Sequence, residues 1–467
     1  MKIAFAENSY ATQSLNNDAQ ELINYYPEHN PNSSKDRVTV YPTPGISVAW
    51  DLGESPVRAL YFFANLLFAV VGPILYKIEA TGITTNLGII AGDGKLSIAD
   101  NGFELCIVNG GQGYIYTVDS DVFETITDPN FYSSSSVVYQ SRRFIFVRDG
   151  TNQFFISGPT TGLTYDALEF APITTNAGNI KAILADHGEI WLFGDTYINV
   201  WVYTGNEAGF PFAEIQGANI EKGIAAIHTA VKLNNTLYWL AEDRQVYSAT
   251  GYRPYLLSPP PISRTFQNYN VVEDAFAYSY SDKGHDFYVL TFPHENATWV
   301  FDASIADPSM AWHQRQTGTS GRHLANCYAK AWGKHYIGDY RTGKIYEYAE
   351  NIYTDNGEKI HRVVTSPPMH GDRKRVFCDR VEIDIESGVG LTNGQGENPQ
   401  AMLSYSDDGG QTWSDEKFGS MGKLGKYRSR LKYHNLGSFY QRIFKLKITD
   451  PVKTIILSAD LIGEVEK

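Results

Sequence analysis

Between Ile180 and Gly205 the chain reads IKAILADHGEIWLFGDTYINVWVYTG, three apolar runs parted by two short polar turns. The first run stops at Asp186-His187-Gly188, the second is Ile190–Phe193, and the third, Val200–Tyr203, carries Trp201 and Tyr203. Short β-branched and aromatic runs bounded by Gly, Asn and Asp read as strands. The i, i+3, i+4, i+7 spacing of an amphipathic helix is nearly absent here and elsewhere in the chain. A three- or four-stranded sheet of this kind cannot bury both of its faces alone. It needs like neighbours on either side, which is the logic of a repeat protein.

The same plan recurs in both directions. Upstream lie VRALYFFANLLFAVVGPILYKIEA, GKLSIADNGFELCIVNGGQGYIYTV and SSVVYQSRRFIFVRDGTNQFFISG. Downstream lie AIHTAVKLNNTLYWLAEDRQVYSA, with its Asn234-Asn235 turn, then DAFAYSYSDKGHDFYVLTFPHENATWVFD and LANCYAKAWGKHYIGDYRTGKIYEYA. Starts fall ~35–50 residues apart, the spacing of propeller blades. The reading is an all-β protein whose residues 51–362 form a β-propeller of six or seven blades. Two incomplete candidates can combine into one closing blade.

The flanks differ in texture. Residues 1–50 are polar and punctuated by Asn, Pro and Ser, with two extended pieces, Leu22–Tyr26 and Val38–Tyr41. They read as an extended arm whose strands can add to the sheet edge of a neighbouring molecule. Residues 363–467 read as a smaller β domain, a sandwich, that opens on the basic run Arg373-Lys374-Arg375. That run reads as a solvated strand entry or a dock for an acidic partner.

Composition excludes several classes. Net charge is −13, against a protein that grips nucleic acid through phosphate contacts. Cys106, Cys327 and Cys378 are far apart, without disulfide or zinc spacing. The most apolar stretch, Leu60 to Val71, is interrupted by Asn65 and reads as two buried strands and a turn, so no membrane span is expected. MKIAFAENSYATQ lacks the basic start and apolar run of a secretion signal.

One motif suggests chemistry. Ser406-Asp407-Asp408-Gly409-Gly410-Gln411-Thr412-Trp413 fits S-x-D-x-G-x-T-W, the Asp box best known from sialidases. Its residue types have a mechanical explanation. Asp408 accepts turn N–H groups, Gly410 supplies a positive φ, and Ser406, Thr412 and Trp413 frame a hairpin whose indole is available to the core. Glu382 and Asp384 share one strand face, His294-Glu295 lacks a second His, and Gly94-Lys95 lacks P-loop spacing. No catalytic residue, cofactor-binding residue or metal ligand is predicted, and no cofactor.

Longer stretches resemble one family. AENSYATQSLNNDAQELINYYPEHNP followed by VYPTPGI is similar to the N-terminus of the packaged-DNA stabilisation family of short-tailed bacteriophages, also called tail accessory, head-completion or tail-nozzle proteins. The resemblance rests on Asp18-Ala19-Gln20, Asn24-Tyr25-Tyr26-Pro27-Glu28 and Thr43-Pro44-Gly45. It continues through Gly209-Phe210-Pro211-Phe212, Trp312-His313, and Tyr427 with Arg430. The chain departs from the pattern at Tyr433-His434, where an aromatic–arginine pair is common.

The resemblance implies a non-enzymatic virion protein of the phage tail, assembled in the bacterial cytoplasm. It implies a homohexameric ring below the portal and its adaptor that closes the DNA channel and retains the packaged genome. Needle, fibre or tailspike proteins would sit on that platform, and DNA would pass without specific binding. The alternative class is a propeller lectin or sialidase-like glycosidase acting on glycans.

Overall fold

Seven four-stranded antiparallel blades follow one another around a ring, the first five as separate sheets and the last two as parts of larger ones. The computed structural model describes every residue except 6–7, 32–36, 207–208, 320, 350 and 467. The blade quoted above comprises Ile180–Asp186, Glu189–Gly194, Ile198–Tyr203 and Phe212–Ile220. Its second strand shows why these runs are apolar throughout. Ile190 and Leu192 face the preceding blade, whereas Trp191 and Phe193 face the following one, so both faces of the pleat are buried. Seven separate apolar clusters fill the seven gaps between blades. The last holds Val57, Leu67 and Val71 of the first blade against Ala331, Tyr336 and Ile345 of the seventh, so the ring is closed.

The hairpins have a common cause. In six blades the first two strands are joined by a two-residue turn with positive φ at both positions. Ala64-Asn65, His187-Gly188 and Asn234-Asn235 are examples, with φ of 50° and 60°, 48° and 84°, and 46° and 58°. Such turns match the twist of the strands they join. The stretch Leu60–Val71 is accordingly two buried strands, Val57–Phe63 and Leu66–Val71.

The seventh blade takes its outer strand from the other end of the chain. Gly45–Asp51 pairs antiparallel with Lys344–Ala349, Ile46 opposite Tyr348 and Trp50 opposite Ile345. A ring closed by a strand so far away in sequence cannot open without losing that whole ladder. Gly45 is required where it stands, because a Cβ there would lie 2.4 Å from the carbonyl oxygen of Ile352.

The sandwich packs two sheets around Val381, Ile383, Leu403, Phe444, Leu446 and Leu461. One sheet runs Tyr25–His29, Val38–Pro42, Ile456–Val465, Val376–Ile385 and Leu431–His434. The other contains Arg362–Thr365, Gln441–Ile448, Gln400–Ser406 and Lys417–Ser420. Between this second sheet and the sixth blade lies Leu22–Ile23, paired on one side with Val363 and Val364 and on the other with Gln314. Blade and sandwich therefore share one continuous sheet.

This corrects the expectation that the arm's strands are available to a neighbouring molecule. The N-terminal segment is extended, but its strands are paired within its own chain. Leu22 and Tyr25 are fully buried in the sandwich core, and Ile3 donates its N–H to Ala459 at 2.8 Å. Apolar pieces such as LINYY are better satisfied by a core that is always present than by a partner that must first be met.

Candidate functional site

The Asp box lies in the sandwich, on the loop that leaves Gln400–Ser406 and returns as Lys417–Ser420. Ser406 Oγ donates to Asp408 Oδ1 at 2.7 Å and accepts the Gly410 N–H at 2.8 Å. The Asp408 carboxylate accepts the Thr412 N–H at 2.9 and 3.0 Å and the Thr412 hydroxyl as well. These donors, the Thr412 hydroxyl first, hold the Asp408 carboxyl down at about 2. Gly409 and Gly410 turn the chain with φ of +76° and +90°. The side chains of Ser406, Asp408 and Thr412 thus bond to one another and to the backbone of the loop itself.

Trp413 does not enter the core. It is half-buried, and Lys445 Nζ sits 3.7 Å from its ring centroid. The residue that ties the loop to the sandwich is Asp407, which the motif leaves unspecified. Both its oxygens accept from the buried Arg442, Oδ1 from Nε at 2.6 Å and Oδ2 from Nη2 at 2.7 Å. The guanidinium is sandwiched by Tyr405 and Phe439, at 3.9 and 4.5 Å from their centroids. A bidentate pair of this kind is among the strongest side-chain contacts available, but no sequence spacing announces it.

Asp408→Ala is expected to lower the melting temperature by roughly a few degrees, because the Thr412 and Ser406 donors lose their acceptor. Asp408→Asn, which keeps one acceptor oxygen, should fall between. The depressed carboxyl fixes the sign of the acid dependence. Its contribution is fully present above the ordinary carboxylate range near 4 and is lost as pH falls towards 2. Differential scanning fluorimetry of both variants between pH 2 and 7 checks this. A melting temperature identical to that of the parent protein at pH 7 would refute a structural role.

The other candidates resolve into structure. Glu382 and Asp384 belong to an ion network on the sandwich surface. Glu382 pairs with Arg380 at 2.9 Å and Lys432 at 3.5 Å, and Asp384 with Arg430 at 3.2 Å. Arg373-Lys374-Arg375 occupies an exposed turn, with φ of +50° at Asp372 and +70° at Arg373. Cys106, Cys327 and Cys378 are unpaired. Among the described residues no group of His, Cys, Asp and Glu is arranged to hold a metal, and no helix is long and apolar enough to cross a membrane.

The residues that carried the family resemblance are mostly joints. Asp18 caps its own turn, accepting from the Gln20 backbone and side chain at 3.1 Å each. Asn24 adopts φ +56° and its buried side chain bridges Gln316 and His361. Phe210 packs edge-on against Phe154 and Trp201, and Trp312 donates to the Leu257 carbonyl at 3.0 Å. At the departure point Tyr433 is buried and donates to the Ala401 carbonyl at 2.8 Å, while His434 is exposed.

Charge is unevenly divided. Residues 363–467 hold 15 Lys and Arg against 14 Asp and Glu, a net of +1, so the remainder of the chain carries −14. A closed propeller stitched to a near-neutral sandwich by the strands of the N-terminal segment defines an interlocked two-part β-protein. The chain belongs to the bacteriophage P22 Gp10 family: residues 10–353 match its beta-propeller and residues 361–463 its beta-sandwich. It is thus a structural protein of a phage tail.

No curated protein matches the chain. Several solved structures are distantly similar to the chain. The computationally designed Ika8 protein is 9% identical with a TM-score of 0.41, over 65% of this chain and 99% of that one. The extracellular domain of a one-component-system protein from B. thetaiotaomicron is 10% identical with a TM-score of 0.43, over 87% of this chain and 58% of that one. The N-terminal domain of Nup159 is 10% identical with a TM-score of 0.40, over 70% and 99%.

Proposed function

We propose that the protein forms a homohexameric ring below the portal and its adaptor, closes the DNA channel after packaging, and offers a platform to needle, fibre or tailspike proteins. It acts in the virion without catalysis, after assembly in the bacterial cytoplasm. The observation that carries this reading is family membership across both parts of the chain. In this reading residues 51–362 are the wall of the assembly, residues 1–50 stitch it to the sandwich, and residues 363–467 dock on neighbouring tail proteins. The exposed Arg373–Arg375 turn and the near-neutral charge of the sandwich suit contact with acidic protein surfaces better than the strongly acidic remainder does.

The test is electron microscopy of the protein with its adaptor, together with phage lacking it. A closed ring on the adaptor, and heads that package DNA but lose it, are expected. Intact genome retention without the protein would overturn the proposal. A further outcome concerns DNA directly. Each copy carries −13, so a channel built from such copies repels phosphate and lets the duplex pass. Fluorescence anisotropy with duplex DNA at physiological salt should register weak binding or none. Tight binding that falls steeply with salt would contradict this reading.

A further inference from the structure

Two stretches of the chain carry charge of one sign only. From Leu96 to Ser141, which spans blade 2 and the first strand of blade 3, there are six Asp and Glu and no Lys or Arg. From Lys417 to Lys432 there are six Lys and Arg and no Asp or Glu. The fold sets these stretches at opposite extremes of the molecule. Lys417–Ser420 is the last strand of the sheet shared with blade 6, five strands beyond that blade's outer strand Trp312–Gln314, or roughly 24 Å away. Leu431–His434 is likewise the edge of the other sandwich sheet, at the end away from Tyr25–His29. The loop between these two edge strands is the tip of the sandwich. In a ring of seven, the blades farthest from blade 6 are blades 2 and 3. Tip and far rim therefore cannot meet within one chain.

Neither place is satisfied internally. In the tip, Lys423 pairs with Glu397 at 3.1 Å and Arg430 with Asp384 at 3.2 Å. Lys426 and Arg428 are exposed, and among the described residues no carboxylate pairs with them. On the rim, Asp121 is taken by Lys77 at 2.6 Å. Asp119, Glu124 and Asp166 are exposed, and among the described residues no Lys or Arg pairs with them. Apolar exposure follows the same division. The five large apolar side chains most open to water among the described residues are Leu168, Tyr427, Ile89, Phe103 and Phe418, from 82% down to 65% exposed. Tyr427 and Phe418 belong to the tip. Leu168 stands on the bulged outer strand of blade 3, Phe103 on a turn of blade 2, and Ile89 on the adjoining outer strand of blade 1. The tip is also pinned: Gly425 donates its N–H to the Gly388 carbonyl at 3.2 Å, and Lys426 to the Lys423 carbonyl at 3.0 Å. Exposed apolar groups set among unpaired charges mark an interaction surface, and this chain has two, of opposite sign.

We infer that the sandwich tip of one copy docks on the blade 2–3 rim of a second copy. Lys426 and Arg428 face Asp119, Glu124 and Asp166, and Tyr427 and Leu168 leave water between them. This contact rests on the ring proposed above and specifies its repeating joint. Two unlike surfaces at opposite ends of a chain join head to tail, and such a joint closes a ring when it is repeated by rotation. Charge sets the orientation and speeds the encounter, while the apolar groups supply the affinity, because exposed ion pairs contribute little by themselves. Two tips repel each other, as do two rims, so the same charges disfavour a tip-to-tip dimer.

The test uses the full chain assembled on its adaptor, with closed rings counted by electron microscopy. Lys426→Glu with Arg428→Glu, and separately Asp119→Lys with Glu124→Lys, should each reduce closed rings about tenfold, and the four substitutions together should restore most of them. All four side chains are exposed, so melting temperatures should stay with the parent protein. Carbodiimide cross-linking of unaltered rings, read by peptide mass spectrometry, should join Lys426 of one copy to Asp119 or Glu124 of the next. Rings that form normally with either patch reversed, or that lack this cross-link, overturn the inference and leave the ring itself standing. A tip defect that the rim reversal does not repair assigns the tip to a different protein. Loss of duplex-DNA binding with ring formation intact assigns it to nucleic acid. Either result also overturns the inference. If the unaltered protein forms no ring on the adaptor, the ring reading fails and this contact falls with it.

Discussion

Removal of residues 1–51 is expected to abolish the folded state, not merely to weaken assembly. The deletion takes away Gly45–Asp51, the outer strand of the seventh blade, with the six residue pairs that hold it to Lys344–Ala349. It also removes Leu22–Ile23, which joins the sixth blade to the sandwich, and Tyr25–His29 with Val38–Pro42, which complete a sandwich sheet. Four of the lost side chains, Leu22, Tyr25, Val40 and Ile46, are buried to within 3% of full exclusion from water. At roughly 1.5–3 kcal/mol each, their loss alone costs on the order of 6–12 kcal/mol. Whole domains are stable by about 5–15 kcal/mol, so the truncated chain has little or nothing left. The expected result is insoluble expression, or a soluble chain without a cooperative thermal transition by circular dichroism. A truncated protein that melts cooperatively near the parent temperature would show that the N-terminal strands are ornamental.

What the sequence disclosed and what it withheld divides along a physical line. Blades were legible because each is local: strands joined by turns such as His187-Gly188 lie within a few dozen residues, and period-two runs apolar on both faces say that a sheet is buried on both sides. The closing strand was not legible. GISVAWD is ordinary strand sequence, and its partner Lys344–Ala349 lies near the opposite end of the propeller segment, so only the ring itself brings the two together. Thr43-Pro44-Gly45 did mark the place, but the reason for the glycine is the Ile352 carbonyl it touches, a contact without a sequence signal. The residue types of the Asp box suggested a hairpin with its indole towards the core, whereas Trp413 stays half-buried and the Asp407–Arg442 pair that anchors the loop depends on two strands meeting. Residues 417–432 illustrate the same limit. Their six Lys and Arg are visible in sequence, but their place at the outermost edge of the sandwich follows only from the strand order.

Asn24→Ala is expected to be the most damaging single substitution outside the apolar core. Asn24 is buried at the point where blade, arm and sandwich meet. Its Nδ2 donates to the carbonyls of His361 at 2.9 Å and Gln316 at 3.1 Å, and its Oδ1 accepts the Gln316 N–H at 3.0 Å. Its backbone carbonyl accepts from the Thr43 N–H at 3.1 Å, which sets the return of the chain towards Gly45. The residue holds φ at +56°, a conformation that asparagine tolerates and alanine resists by about 1–2 kcal/mol. Loss of three side-chain hydrogen bonds at about 1 kcal/mol each brings the total to roughly 4–5 kcal/mol. Two further variants separate the terms. Asn24→Gly relieves the backbone strain and should recover part of the loss. Asn24→Asp keeps the acceptor for Gln316 but sets a carboxylate against two carbonyl oxygens, so it should be as harmful as alanine. Chemical denaturation of the three variants, with the midpoint compared at constant slope, reads the differences. An alanine variant within about 1 kcal/mol of the parent protein would mean that water replaces the side chain, and that the Asn-Tyr-Tyr-Pro-Glu segment is held in place by Tyr25 and Leu22 alone.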